Sequence, residues 1–278
     1  MSYELEDEFG DIIKKARKGL NLSIEKLAQE IQFSHTQLSK MESYSIKPTV
    51  EQVNKLAKRL GLSAKKLQLI AEENWSPKPI PIDHDSKLSV LRISNNVNGW
   101  PVHAYVLKCE KSKQLAIIDT AANPKMVIER VKGYGLPVSA ILLTHAHQDH
   151  VGGLSEIQQV FDAPTYIHRN EPQPTSERAL ILVSHGDIIS VGALSIHVID
   201  IPGHTAGGCA FQTRNTVFTG DSIFAGSVGN AFLSYDDILN NIRKSILSLP
   251  NDTYLFPGHG PSTTVGEEKA HNPFFAEF

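Results

Sequence analysis

The sequence is poor in several residue types, and each shortage excludes a class of protein. Its 278 residues include only two cysteines, Cys109 and Cys209, which excludes a disulfide-stabilised scaffold and favours a reducing cytoplasm. It has no run of about 18 apolar residues, so it predicts no transmembrane helix. The first nine residues carry four acids and no basic residue, so we expect no secretory signal.

The net charge is also small, but its distribution is uneven. The 27 basic and 30 acidic residues leave −3, which argues against a protein that coats nucleic acid. Residues 12–66 contain 12 Lys or Arg and four acids, a net +8, whereas the chain from residue 76 onward has 15 basic and 19 acidic residues. Between these parts lie Pro77, Pro79 and Pro81, which favour an extended linker. We therefore predict one domain over 1–71, a linker over 72–86 and a second domain over 87–278.

Apolar spacing and capping residues predict a first domain made of short helices. Phe9, Ile12, Ile13 and Ala16 form one stripe at helical spacing. Ser23, Ser34, Thr49 and Ser63 are good N-caps for four more helices, and Gly61 is a helix stop.

The second domain reads as strands interleaved with helices, a pattern typical of a layered α/β arrangement. The predicted helices are 124–132, 153–161 and 235–249. The predicted strands are 88–93, 104–109, 115–119, 140–144, 188–191, 194–201, 211–213, 216–219 and 253–256.

A dense group of metal-ligand residue types follows one of these strands. The segment Thr144-His145-Ala146-His147-Gln148-Asp149-His150 places four candidate ligands within six residues. Because His145 and His147 are two residues apart, an extended chain projects them to one side. Imidazole together with carboxylate suits zinc, iron or manganese.

Three further candidates occupy similar positions: His204 in Pro-Gly-His-Thr, Asp221 in Gly-Asp-Ser and His259 in Pro-Gly-His-Gly. Each lies beside glycine at the end of a predicted strand. Taken singly, each is more often a turn residue, but together with the first group they make seven ligands, enough for two metals.

This set of motifs resembles the metallo-β-lactamase superfamily, and most closely its glyoxalase II-like branch, over roughly residues 88–278. The resemblance implies an α+β chain in which an αββα sandwich follows a small all-α helix-turn-helix domain. It implies two divalent metal ions, with zinc first and iron or manganese as alternatives. His145, His147 and His204 would bind the first metal, Asp149, His150 and His259 the second, and Asp221 would bridge them.

Asp119 matches a family Asp near the metals, although a strand-end cap explains it equally well. The remaining histidines, among them His84, fall outside this set of motifs, so we expect surface or core hydrogen bonding for them.

The resemblance implies a metal-dependent hydrolase acting on a thioester, with Asp149 and Asp221 as the catalytic carboxylates. Two departures bear on the substrate. Only residues 260–278 follow His259, too few for the C-terminal helical extension of glyoxalase II enzymes. In addition, Asn230-Ala231-Phe232 replaces the Gly-Arg-Thr/Ser-Asp element of related hydrolases. The alternatives are a transcriptional regulator that uses the metal domain as a ligand sensor, and an iron-dependent persulfide dioxygenase.

The first domain resembles the Xre/Cro-like helix-turn-helix of phage repressors, through Leu22–Ala28, Phe33–Glu42, Lys47-Pro48-Thr49 and Leu56–Gly61. In that family the second helix of the pair enters the major groove. The match implies DNA contacts from Ser34, His35, Thr36, Gln37 and Lys40. We also expect a homodimer, and phosphate contacts from Lys14, Lys15, Arg17 and Lys18.

Overall fold

The helical first part is formed as the capping residues predict. The computed structural model describes residues 5–81, 85–97 and 99–278. Helices α2 (Ile24–Ile31), α3 (His35–Glu42) and α4 (Val50–Leu60) begin after Ser23, Ser34 and Thr49, whose hydroxyls accept the capping N–H groups. Gly61 ends α4 with a φ of 71°. This part also contains α1 (Phe9–Gly19) and α5 (Ala64–Ala71).

At the end of the helical part, the Ser63 cap differs from the prediction, and part of the predicted linker lies outside the described residues. Ser63 precedes α5, but its side chain makes no capping bond; its N–H instead donates to Pro273 O at 2.8 Å. Residues 72–81 form no helix or strand, as the prolines predict, while Ile82, Asp83 and His84 lie outside the described residues. The division at 72–86 therefore stays a prediction.

Two six-stranded sheets build the second part. The first sheet has the order β1–β6 and consists of Leu88–Val97, Trp100–Cys109, Gln114–Ile118, Val138–Leu143, Thr165–His168 and Leu180–Val183. The second has the order β14-β13-β10-β9-β8-β7. Its strands in chain order are Ile188–Val191, Leu194–Asp200, Cys209–Thr213, Thr216–Gly220, Tyr254–Pro257 and Thr263–Thr264. A short hairpin, β11 (Ile223–Phe224) and β12 (Ser227–Val228), lies between β10 and β13 in the chain.

Helices cover both outer faces of this pair of sheets. Tyr105, Phe211 and Phe218 fill the core between the sheets. Outside the first sheet, α6 (Pro124–Tyr134) and α8 (Leu154–Val160) pack on residues such as Ile117 and Ile141. Outside the second sheet lie α9 (Tyr235–Asn241) and α10 (Val265–His271). The predicted αββα sandwich and α+β class are confirmed.

The helical part shares a hydrophobic core with the outer face of the second sheet. One continuous cluster of buried side chains joins Ile12 of α1 and Leu67 of α5 to Ile238, Phe274 and Phe275. Polar contacts reinforce this join. The buried Lys66 ammonium donates to the carbonyls of Lys269 and Phe275, at 2.7 and 2.6 Å, and Trp75 stacks on His271. The two parts therefore pack as one unit.

Several elements differ from the sequence prediction. The helix predicted over 235–249 is α-helical only to Asn241 and continues as a π-helical turn, Ile242–Ile246. Strands β5 and β6, the short strands β11, β12 and β14, and helix α10 were not predicted. Most are too short for periodicity to reveal. Among the described residues, no helix has both the length and the apolar character needed to cross a bilayer.

Candidate functional site

All seven predicted ligands converge at one edge of the sandwich. His145, His147, Asp149 and His150 follow β4, the last two on a short helix, α7 (Gln148–Val151). His204 follows β8, Asp221 follows β10 and His259 follows β13. Strands β10 and β13 are parallel. Strand β8 runs in the same direction as β10, because β8 and β10 are both antiparallel to β9. Their carboxyl ends therefore open onto the same edge.

The first group consists of three imidazoles with Asp221 beside them. His147 Nδ1 lies 3.0 Å from both His145 Nε2 and His204 Nε2. Asp221 Oδ2 is 3.6 Å from His204 Nε2 and 3.9 Å from His145 Nε2. Each of these four residues offers one ligand atom, and the four ligand atoms all lie within 4.8 Å of one another.

Asp149, His150 and His259 form the second group. His259 Nε2 is 3.6 Å from Asp149 Oδ2. Asp221 reaches this group as well: its Oδ1 is 3.3 Å from His150 Nε2 and its Oδ2 is 3.4 Å from His259 Nε2. The carboxylate of Asp221 thus lies between the two groups.

Hydrogen bonds on the far side of each ring aim the imidazoles inward. His204 Nδ1 donates to Asn230 O at 2.7 Å, and His259 Nδ1 donates to Pro101 O at 2.8 Å. His150 Nδ1 is 2.9 Å from Asp119 Oδ2. In the neutral rings, these bonds favour the tautomer whose Nε2 lone pair faces the centre, as is usual for metal-binding histidines. The Asn230 backbone does this whatever side chain residue 230 carries.

Two acids outside the ligand set support the loops. Asp119, whose backbone has a φ of 54°, accepts from the N–H and hydroxyl of Thr144 as well as facing His150. It therefore fills both roles considered for it, strand-end cap and support for a ligand. The buried Glu171 was missed by sequence reasoning. Its carboxylate accepts from the N–H groups of Ala146 and Gly207, both at 2.8 Å, and so ties two ligand loops together.

Two glycines permit the close packing around Asp221. A Cβ on Gly258 would lie 2.3 Å from Asp221 Oδ1 and 2.6 Å from the His150 ring. A Cβ on Gly229 would lie 1.7 Å from the backbone oxygen of Asp221. Any side chain at either position would displace the central carboxylate.

The ligands influence one another's protonation. Burial would raise the pKa of Asp221, but the imidazoles of His150 and His259 outweigh burial and hold it well below its usual range. Burial lowers the pKa of His259, yet Asp221 and Asp149 raise it to about 10. Burial keeps the pKa values of His145 and His204 low. His145 and His204 are therefore neutral imidazoles beside a charged carboxylate, and metal binding to the second group would release protons.

The donor set fits two divalent metals. Buried polar atoms normally have hydrogen-bond partners, yet His150 Nε2 and Asp221 Oδ1 are buried and make no hydrogen bond. Both point into the centre, where a cation would satisfy them. Imidazole nitrogens with carboxylate oxygens are the ligands that zinc, iron and manganese accept.

A cleft of about 880 Å³ opens from this centre, and the helical part forms one of its walls. His147, Asp149 and Asp221 lie on its floor. Phe232, which is 70% exposed, borders it with its ring 5.3 Å from that of His204. The helical part and the segment before it also line the cleft, with residues that sequence reasoning did not assign to this site: Glu6, Asp7, Asp11, Lys14, Lys15 and Lys18. No local pattern signals this contact, because it depends on how the two parts pack.

The histidines not assigned to metal mostly have ordinary partners. His103 is buried and bonds Gly260 O at 2.8 Å, His168 is buried beside Asp200, and His35 is exposed beside Glu25. His84 lies outside the described residues. Both cysteines are buried and unpaired, as expected.

The residues predicted to contact DNA lie together at the start of α3 and on its outer surface. Ser34, His35, Thr36 and Lys40 are exposed and Gln37 is half-buried. The expectation of phosphate contacts is wrong for Arg17. Its guanidinium is buried in a two-bond ion pair with Glu42, at 2.6 and 2.7 Å. Lys15 is likewise held by Asp7 and by Val228 O.

Comparisons with known proteins agree with this geometry. The family model of the metallo-beta-lactamase superfamily matches residues 97–259, and a helix-turn-helix family model matches residues 13–67. A probable metallo-hydrolase of Streptococcus pyogenes serotype M6 is 34% identical over 68% of this chain and 90% of its own length. The hydroxyacylglutathione hydrolase GloC of Haemophilus influenzae is 28% identical over 64% of this chain and 97% of its own.

Solved structures give the same result. The B3 metallo-β-lactamase BLEG-1 is 29% identical with a TM-score of 0.61, covering 66% of this chain and 99% of its own. TTHA1623, solved in a di-iron-bound form, is 30% identical with a TM-score of 0.57 over the same shares. With its N-terminal helix-turn-helix and its edge cluster of histidines and aspartates, the chain belongs to the metallo-β-lactamase superfamily.

Proposed function

We propose that this protein is a binuclear metal-dependent hydrolase that cleaves a thioester, as hydroxyacylglutathione hydrolases do, and that its helical part binds DNA. The observation that carries the proposal is the position of Asp221 between two complete ligand groups at the floor of a cleft. The similarity to the Haemophilus influenzae hydrolase supports the choice of substrate.

His145, His147 and His204 would hold one metal, Asp149, His150 and His259 the other, and Asp221 both. Zinc suits this donor set best, with iron and manganese as the alternatives. When bound, such ions lower the pKa of water and polarise the substrate carbonyl.

The chain's own residues would supply position and proton transfer. Asp149 is partly exposed to the cleft, so its Oδ2 can orient the attacking water and receive its proton. Because a thiolate leaves without strong acid help, the site needs no further general acid. Phe232 and Val102, which line the cleft, would shield the reacting carbonyl from bulk water.

A thioester and lactone panel on zinc-, iron- and manganese-loaded protein tests the proposal. We expect thioester turnover with two metal equivalents per chain and no oxygen uptake. Hydrolysis of neither class at any metal loading would refute the hydrolase. Oxygen consumption with a persulfide substrate and a single iron would establish the dioxygenase instead.

DNA binding is proposed from the surface around α3. Ser34, His35, Thr36, Gln37 and Lys40 would meet the major groove, with Gln37 suited to adenine edges and Lys40 to phosphate. A homodimer would present two such helices to half-sites one helical turn apart. Sedimentation of the protein with and without duplex DNA tests both points: a monomer that binds no duplex at low salt would exclude them.

The two buried, unpaired thiols fit a cytoplasmic location.

A regulator that senses a ligand is the second candidate, and one observation favours it. Helix α1 contributes Ile12 and Ile13 to the core of the helical part, and Lys14 and Lys18 to the cleft wall. A bound ligand could therefore shift the arrangement of the DNA-binding helices. A DNA dissociation constant that is unchanged by saturating substrate analogue would rule this candidate out.

A further inference from the structure

One face of α1 presents two lysines to the cleft. Lys14 and Lys18 are four residues apart, so they lie on the same side of the helix. Both are exposed, and both line the cleft whose floor holds His147, Asp149 and Asp221. Within the described chain, neither ammonium has an ion-pair or hydrogen-bond partner. Helix α1 therefore lines the cleft with two lysines that form no ion pair among the described residues.

The acids on the same wall are already engaged. Asp7 is paired with Lys15 and accepts from the Ser227 hydroxyl. Asp11 accepts from the Tyr44 hydroxyl and from the Glu8 N–H. Glu6 faces the His259 ring, with 3.9 Å between its Oε1 and His259 Nδ1. None of these three acids therefore forms an ion pair with Lys14 or Lys18.

The wall is also rigid. The neighbouring Ile12 and Ile13 have no exposed surface, and Arg17, also on α1, makes a buried ion pair with Glu42 of α3. Lys15 crosses to the second part and donates to Val228 O at 2.8 Å. The lysine side chains project from a fixed backbone, so a charge they bind would be held at a defined distance from the metal centre.

The alignment with the Haemophilus influenzae hydrolase leaves about a third of this chain without an aligned counterpart. The Haemophilus influenzae hydrolase aligns over 97% of its own length yet covers only 64% of this chain. Selectivity that comes from α1 would therefore be a property added by the helical part.

We propose that Lys14 and Lys18 bind an anionic group, a carboxylate, on the thiol portion of the substrate, so that the helical part determines substrate specificity. The inference rests on the proposed thioester hydrolysis. An ammonium pair holding a carboxylate makes charge-assisted hydrogen bonds that a neutral amide cannot replace.

The test uses thioesters of ω-mercapto carboxylic acids of increasing length, each paired with its neutral primary amide. The variants are Lys14→Gln, Lys18→Gln and the double substitution. The matched control is Lys58→Gln, at an exposed lysine of α4 away from the cleft. For the double variant we expect kcat/KM on the preferred carboxylate to fall about tenfold, through KM, and to change less than twofold on the amide.

Equal effects on acid and amide, no effect on either, or the same loss in Lys58→Gln would overturn the inference. Loss of duplex DNA binding in the double variant with unchanged KM would assign the lysines to DNA instead. If the unsubstituted protein hydrolyses no thioester, the proposed function fails separately. Calorimetric binding of the S-methyl thioether acid and its amide to zinc-loaded protein still decides the inference, since only the acid should lose affinity in the double variant.

Discussion

The two parts of this molecule differ in where their polar residues point. In the sandwich, all seven ligand side chains turn inward to one centre, and His150, His204 and His259 are held by hydrogen bonds from behind. In the helical part the polar residues divide between two surfaces. Helix α1 faces the cleft, whereas Ser34, His35, Thr36 and Lys40 face outward.

In the proposed function, this difference separates the chemistry from its selectivity. The sandwich supplies all seven candidate ligands without any residue of the helical part. The helical part adds a wall to the cleft and presents the exposed residues of α3 on another surface. Because the two parts share a hydrophobic core, a change in one has a physical route to the other.

Replacing Asp221 by Ala should have the largest effect on activity, and that effect should be confined to metal binding and hydrolysis in the sandwich. Both ligand groups would lose a shared oxygen donor, so we expect loss of one metal equivalent and a fall in hydrolysis of about 10²–10³-fold. Elemental analysis and steady-state kinetics measure both. His197→Ala, at an exposed histidine of β8, is the control. Full activity with two metals in Asp221→Ala would show that Asp221 is not the bridging ligand.

Arg17→Met should destabilise the helical part strongly. It would leave the buried Glu42 carboxylate without its ion-pair partner, a change that costs about 3–5 kcal/mol of unfolding free energy. Urea unfolding measures the loss. The half-buried pair of Arg59 with Glu30 provides the comparison, and Arg59→Met should cost at most about 1 kcal/mol. Equal losses of unfolding free energy in the two variants would mean that burial of the Arg17 ion pair does not increase its contribution to stability.

The protonation of Glu268, on α10, should make the free energy of unfolding depend on pH. Burial raises its pKa to about 7, although Asn272, Thr263 and the Gly226 N–H bond it. In the unfolded chain this glutamate titrates near its ordinary pKa, so between that value and pH 7 only the folded state keeps the proton. Stability should therefore fall as pH rises through this window, by an amount on the order of 3 kcal/mol.

Glu268→Gln should remove that component of the pH dependence, as measured by urea unfolding at pH 5 and pH 8. Glu129→Gln, at an exposed glutamate of α6, should leave the pH dependence unchanged. A Glu268→Gln profile that still falls as steeply as that of the unsubstituted protein would contradict the assignment.

Lys40→Ala should have the smallest effect and should separate the two surfaces of the helical part. Removing one phosphate contact should weaken binding to any duplex by a few fold and reduce the slope of log Kd against log salt by about one. Fluorescence anisotropy at several salt concentrations measures this. Lys14→Ala, on the cleft side, should keep the original slope. A reversed result would mean that α1, rather than α3, meets DNA.

Local chemistry explains what could be predicted from the sequence. Ser23, Ser34 and Thr49 act within three residues of their own position, so the helix starts follow directly from the sequence. The ligand motifs combine residue types that few other roles require together, and the structure brings all seven side chains to one edge.

What could not be predicted depends on contacts between distant residues. Glu171 is an ordinary glutamate in sequence, and its role appears only when Ala146 and Gly207 come together beside it. In the same way, the basic residues of α1 resemble a DNA-binding patch until packing buries Arg17 and turns Lys14 and Lys18 toward the cleft. Hydrophobic periodicity identifies a buried face but does not identify its partner.

Binuclear hydrolysis is tested most directly by the rate of thioester hydrolysis as metal is added stepwise to the metal-free protein. We expect the rate to rise until two equivalents per chain are bound and then to stay constant, because both ligand groups serve one reaction. A protein that hydrolyses no thioester at any loading, or that reaches its full rate with one equivalent, would contradict it.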